Sequence, residues 1–223
     1  MKKILFVLTS HDRKGNTGQS TGFYLPEAAH PWHILYSAGF EIDFTSPQGG
    51  KPPMDGTDNV DAISQKFLDH PGVTSKIGNT PKPEHINAAD YAAILFVGGH
   101  GAMWDFADNS SLAHIASSIY ETGGVVAALC HGPAALVNLK LSNGEYLVKG
   151  KQVAAFTDEE ERAVQLEKVV PFMLESALRQ RGAHHKPAPN WQANIIVDGR
   201  LVTGQNPASA EGTGREISRL LQS

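Results

Sequence analysis

The 223-residue sequence predicts an α/β protein with a mostly parallel sheet and helices on both faces. Three observations predict it. Short apolar runs rich in Val, Ile and Phe recur from end to end, longer helical patterns separate them, and Pro or acidic residues stand where those patterns begin. With 41% hydrophobic residues the chain is long enough to bury one large core, so residues 1–223 are read as a single domain.

Five runs read as strands, at residues 4–9, 40–45, 91–97, 125–129 and 152–156. A hairpin is expected at 194–197 and 201–203, with Asp198-Gly199 supplying the tight turn. Helices are expected to begin at Pro26, Ser110, Pro133, Glu159 and Pro207, all but Ser110 being residues whose fixed φ or acidic charge suits a first turn. Residues 46–89 break the alternation, being polar and rich in Gly and Pro around one helical patch at 60–68. This segment reads as an insertion over the sheet, either a lid or partner surface or a tolerated surface excursion.

The formal net charge is −4 and no basic run is present, so the chain lacks the electrostatic footprint of a nucleic-acid or anionic-membrane binder. Small molecules or proteins are the expected partners. The one cysteine excludes an intrachain disulfide. The apolar run near the amino terminus is far shorter than the ~20 residues of a membrane helix and carries no signal-peptide cleavage pattern, which predicts a cytoplasmic protein.

That cysteine, Cys130, stands where the apolar run 125–129 breaks into His131-Gly132-Pro133. A strand is expected to end and a helix to begin there, lifting the thiol above the sheet edge, where the helix's free N–H groups would stabilise a thiolate. A buried core thiol is the plainer reading of a lone cysteine. The context favours chemistry, because an imidazole neighbour, a small residue for a sharp turn and a proline preset for the first turn all follow it. A second strand end, Gly98-Gly99-His100-Gly101, would point backbone N–H groups into open space as an oxyanion site, although a tight turn also needs glycine for steric reasons alone.

Carboxylates accompany the thiol. Glu27, just inside the helix after the first strand, either balances the helix dipole or projects into the same crevice, hydrogen-bonds the thiol and moves protons. Asp158, Glu159, Glu160 and Glu161 read as an acidic helix start, one of which is placed to orient His131. His30 with His33, and His184 with His185, offer a rival metal-based reading, but no second motif of metal-ligand spacing accompanies them, and no metal is expected.

Four stretches together resemble the ThiJ/PfpI (DJ) superfamily: Phe23-x-x-x-Glu27-x-x-His30-Pro31, Gly98-Gly99-His100-Gly101, Gly123 to Ala134 around Cys130, and Asp198 to Ser209. The resemblance runs nearly end to end. Within the superfamily the chain is most similar to the branch of heat-shock chaperones and glutathione-independent glyoxalases (glyoxalase III), which the 46–89 insertion and Phe156-Thr157-Asp158 also suggest. The resemblance implies a flavodoxin-like sandwich related to class I glutamine amidotransferases, assembled as a homodimer. It implies Cys130 as nucleophile, His131 as its partner, Glu27 as the buried acid facing the thiol, Glu161 as the triad acid, and Gly98 and Gly99 with the Cys130-His131 backbone as the oxyanion site.

The reaction this implies is conversion of methylglyoxal, a small aldehyde, to D-lactate through a cysteine hemithioacetal, without glutathione or added cofactor. Two other classes compete. A Cys-His pair also permits a cysteine peptidase or amidase, and a holdase chaperone of the stress response would bind unfolded-protein clients through exposed apolar surface instead of the thiol. A redox-sensor role is open to any exposed thiol of low pKa.

Overall fold

The computed structural model describes residues 1–223. The chain runs β1 (Lys3–Val7), β2 (Phe23–Tyr24), α1 (Leu25–Ser37), β3 (Glu41–Thr45), β4 (Met54–Asp55), α2 (Ala62–Asp69), α3 (Pro71–Gly78), β5 (Ala93–Phe96), α4 (Ala102–Asp105), α5 (Ser110–Glu121) and β6 (Val125–Leu129). It continues through β7 (Gln152–Val153), α6 (Asp158–Ala163), α7 (Leu174–Gln180), β8 (His184–His185), β9 (Ile195–Asp198), β10 (Leu201–Gly204) and α8 (Ala210–Gln222).

Six strands form the central sheet in the order β3-β1-β5-β6-β10-β9, parallel except for β9, which pairs with β10 across the Asp198–Leu201 hairpin. Leaving β9 aside, the second strand of the sheet lies outside the first and the others follow in chain order, which is the flavodoxin-like arrangement. The central strands are apolar throughout because both faces are covered, and their period of two divides the core cleanly. Leu5, Val7, Ile94, Phe96, Val126 and Ala128 pack under α5 and α7, whereas Ile4, Phe6, Ala93, Leu95, Val125 and Ala127 pack under α1 and α8.

Caps and prolines set the helix boundaries. Asn109 accepts from the Leu112 amide at the start of α5, Asp61 accepts from Ile63 and Ser64 at the start of α2, and Pro26 occupies the first turn of α1. The edge strand β3 carries charge on its outer positions, where Lys76 of α3 reaches Asp43 at 2.6 Å and Lys3 reaches Glu41 at 3.4 Å.

Two sequence expectations are corrected. The run 152–156 does not join the central sheet: only Gln152–Val153 is a strand, paired with β8 in a small separate sheet. The Ala154 amide bonds the Thr203 hydroxyl and the Phe156 amide bonds the Cys130 carbonyl, so the run is spent crossing the strand ends and not extending a ladder. The helix expected at Pro133 is a single 3₁₀ segment, Gly132–Leu136, because Asn138, Ser142, Asn143 and Gly144 follow it and turn the chain back. The insertion 46–89 is built of α2, α3, two 3₁₀ turns and β4, and β4 pairs with β2 to bring Asp55 beside the strand ends. No helix is long and apolar enough to cross a membrane.

Leu95 is fully buried on the strand between β1 and β6. Leu95→Ala should cost about 2–5 kcal/mol in urea unfolding followed by circular dichroism. A loss below about 1 kcal/mol would mean that the α1/α8 layer collapses onto the cavity, contrary to close packing.

Candidate active site

Cys130 follows the last residue of β6 and takes a left-handed backbone conformation, φ 59°, which a side chain adopts at a cost of about 1–3 kcal/mol. Two hydrogen bonds hold it there: its amide donates to the Gly204 carbonyl of β10, and its carbonyl accepts from the Phe156 amide, both at 2.9 Å. The sharp turn that follows is what aims Sγ away from the sheet and toward α1. His131 continues the turn, with Nδ1 3.4 Å from Sγ.

Glu27 reaches the thiol from the first turn of α1, whose start is fixed by the Tyr24 amide donating to the Gly98 carbonyl at 3.0 Å. Its carboxyl is fully buried and neither oxygen finds a partner at good hydrogen-bond geometry; its polar neighbours are the Cys130 thiol and the Gly98 N–H. Burial therefore raises Glu27 to about 8, against a weaker downward pull from those two groups. Gly98 is what makes room: a Cβ there would lie 2.0 Å from Glu27 Oε2 and 2.8 Å from Cys130 Cβ. Gly99, at φ 109°, lets the loop after β5 lie against the Gly22 carbonyl, where a Cβ would sit at 2.2 Å.

The site does not favour the thiolate that the sequence leads one to expect. A 3₁₀ segment of five residues supplies little dipole, and burial together with the facing Glu27 carboxyl pushes the Cys130 thiol up from its ordinary value. The protonated Glu27 that burial favours removes the like-charge repulsion and can donate to sulfur, so both acids are held toward their neutral forms. The His131 N–H faces the sulfur, and neither it nor the Gly99 N–H donates to any backbone carbonyl.

Of the four acidic residues 158–161, the structure brings Glu161 to the histidine. Its Oε2 lies 2.8 Å from His131 Nε2 and its Oε1 lies 2.8 Å from His100 Nε2. Burial pulls Glu161 upward, but these two hydrogen bonds outweigh it and hold the carboxyl down at about 2. Burial, then the His100 ring at 4.0 Å, hold His131 down at about 4 despite the carboxylate beside it, so the imidazole is neutral at pH 7. The other three acids go elsewhere: Asp158 bonds Ser176, Glu159 is exposed, and Glu160 closes a capping box with Thr157.

Sequence reasoning assigns no role to His100, Phe156 or Trp191, and Glu160 enters it only as one of four acids that could orient His131. His100 is visible there only as the histidine inside a glycine turn. The spacing Thr157-x-x-Glu160 is the signal of a capping box, and that spacing is enough to tell Glu160 from Glu161. His100, His131 and Glu161 have ligand atoms within 4.8 Å of one another, a geometry their mutual hydrogen bonds account for. The histidines of the rival metal reading are dispersed: His30 bonds Asp61 at 2.9 Å, and His185 takes the Ala155 amide at 3.1 Å.

Cys130, His131, Glu27, Gly99 and His100 all line one cavity of about 320 Å³, walled also by Tyr24, Phe156, Val164, Trp191 and Pro207, with Lys14 and Asp55 at its polar side. A larger hollow beside α5, about 560 Å³, is lined by none of these residues.

The sequence pattern of the DJ-1/PfpI family matches residues 20–220. The chain is 37% identical to the glutathione-independent glyoxalase HSP31 of Saccharomyces cerevisiae, over 98% of each chain. Among solved structures, it resembles the 24 kDa rapid encystment protein of Francisella tularensis with a TM-score of 0.96, 38% identity and coverage of 99% of each chain. It also resembles glyoxalase III of Candida albicans, with a TM-score of 0.91 and 29% identity over 98% of this chain and 97% of that one.

A carboxyl raised to about 8 in the fold but ordinary when unfolded binds more protons folded than unfolded between about pH 4.5 and 8. Its contribution to stability is present below about pH 4.5 and is lost as pH rises through about 8. Glu27→Gln cannot ionise, so its unfolding free energy relative to wild type should climb across that window and be flat below it. A pH-independent difference in urea midpoints would contradict a protonated Glu27.

Proposed function

The chain belongs to the DJ-1/PfpI family, and from that premise we propose that it is a glutathione-independent glyoxalase converting methylglyoxal to D-lactate. The observation that carries this reading is the buried, unpartnered Glu27 carboxyl against the Cys130 thiol. Acyl transfer by a peptidase needs a nucleophile, a base and an oxyanion site. It has no use for a second buried acid poised near neutral pH. Moving a proton between adjacent carbons requires one.

The steps follow from these groups. The Cys130 thiol adds across the aldehyde C1=O: Sγ bonds C1, and the thiol proton, relayed through His131 Nδ1, ends on the oxygen as a hemithioacetal. The Gly99 and His131 N–H groups support the charge that develops on that oxygen. Glu27 in its ionised form removes the C1 proton, and the electron pair moves into the C1–C2 bond, leaving charge on the C2 oxygen. Glu27 returns its proton to C2 while the C1 hydroxyl proton passes to the C2 oxygen, giving a 2-hydroxy thioester. C1 has been oxidised and C2 reduced by the same two electrons. Water then attacks C1 and Sγ leaves with a proton, freeing D-lactate.

Glu161 fixes the ring of His131 so that Nδ1 faces the sulfur, and it does so as a carboxylate. Of the exposed large apolar side chains, Met1 and Tyr36 border one hollow, Val164 and Trp191 border the active-site cavity and Val60 borders neither, a distribution that gives no particular support to one broad holdase surface.

D-lactate formation from methylglyoxal by purified protein without glutathione tests the proposal. Cys130→Ala should abolish it, Glu27→Gln should lower kcat by about 10²–10⁴, and Glu161→Ala should lower it less, since His131 keeps its place in the turn. Wild-type protein that makes no D-lactate, or a Glu27→Gln variant as fast as wild type, would overturn the reading.

A further inference from the structure

The cavity is larger than a three-carbon aldehyde requires. At about 320 Å³ it falls at the lower end of the range that holds drug-sized ligands, about 300–1,000 Å³. Its apolar side is a continuous aromatic wall that begins at the catalytic imidazole: Phe156 lies 4.3 Å from the His131 ring, and Trp191 lies 5.7 Å beyond Phe156, all centroid to centroid. A methyl substituent would leave most of this wall wet.

Trp191 is held at the rim against its own preferences. The residue is 49% exposed, and its backbone sits at φ 66°, one of only three non-glycine residues in the left-handed region. Another of the three is Cys130, across the same cavity. A buried carboxylate fixes the strained turn: Glu160 Oε1 accepts from the Trp191 amide at 2.9 Å, from Asn206 Nδ2 at 2.8 Å and from Gln205 Nε2 at 3.2 Å, while Oε2 accepts from the Thr157 amide at 3.0 Å. Glu160 is thereby fully used, without touching the reacting atoms. Its bond to the Trp191 amide holds the backbone in the turn from which the side chain lines the cavity.

We propose that Trp191, positioned by Glu160 and backed by Phe156, is the specificity-determining residue of the site, and that it selects 2-oxoaldehydes whose C2 substituent is aromatic or branched and apolar. The inference rests on the glyoxalase reading. The dicarbonyl end lies at Cys130 and the substituent R lies along the wall, where a flat ring stacks on indole and displaces water. The chemistry is unchanged: R–CO–CHO plus water gives R–CHOH–COOH, C1 oxidised and C2 reduced, with the thiol regenerated. Trp191 takes no part in bond making.

Phenylglyoxal and methylglyoxal, assayed side by side through mandelate and lactate, test it with wild type, Trp191→Ala, Trp191→Phe and Glu160→Gln. Wild type should prefer phenylglyoxal by about tenfold in kcat/KM, carried mainly by KM. Trp191→Ala should lower that preference ratio about tenfold, Trp191→Phe should retain most of it, and Glu160→Gln should lower it through KM for phenylglyoxal, a split that mere loosening of the fold would not produce. A wild type that does not prefer phenylglyoxal, or a ratio that Trp191→Ala leaves unchanged, overturns the inference and leaves the glyoxalase reading standing. Turnover of neither substrate overturns both.

Discussion

The arrangement depends on the pair of hydrogen bonds that clamps the Cys130 peptide. The amide is tied to Gly204 at the end of β10 and the carbonyl to Phe156 on the crossing segment, so a conformation that costs about 1–3 kcal/mol is enforced from two sides. Everything catalytic is positioned relative to that turn. It aims the sulfur at α1, sets His131 on the side of Glu161, and makes Phe156 the floor of the cavity. Phe156 serves twice, through its backbone on the elbow and through its ring on the imidazole.

Three buried carboxylates surround this turn, and the number of donors around each decides what it is. Glu27 has no well-placed donor and is driven toward its neutral form, the state suited to exchanging a proton near pH 7. Glu161 has two imidazoles and stays ionised, suited to holding a ring in place. Glu160 has four donors from three separate segments and serves as a knot in the chain. One residue type fills three roles because burial sets the cost of charge and donors repay it to different degrees.

The parallel sheet, the strand ends and the thiol were legible in the sequence because each leaves a local mark: an apolar run of strand length, a glycine cluster, a proline after a short turn. For the acid facing the thiol the residues alone left two readings of Glu27 open and the family resemblance chose between them, since Glu27 lies far from Cys130 in the chain and looks locally like any acidic residue in a first helical turn. What failed were readings that extended local patterns too far. Residues 152–156 form an apolar run of strand length, yet the amides of Ala154 and Phe156 are claimed by Thr203 and Cys130; Pro133 opens a helical turn that ends at Leu136, just ahead of the polar Asn138. Trp191 left no mark because its position is fixed by Glu160, thirty-one residues earlier in the chain.

The glycine at 98 is demanded by three neighbours at once. A Cβ there would lie 2.0 Å from Glu27 Oε2, 2.5 Å from the Leu129 carbonyl and 2.8 Å from Cys130 Cβ. Shortening the glutamate would remove one collision and leave the other two, both with the strand end that carries the thiol. Position 98 therefore stays closed in any descendant that keeps this elbow, and a bulky residue there would record that the elbow itself, and not only the acid, had been rebuilt.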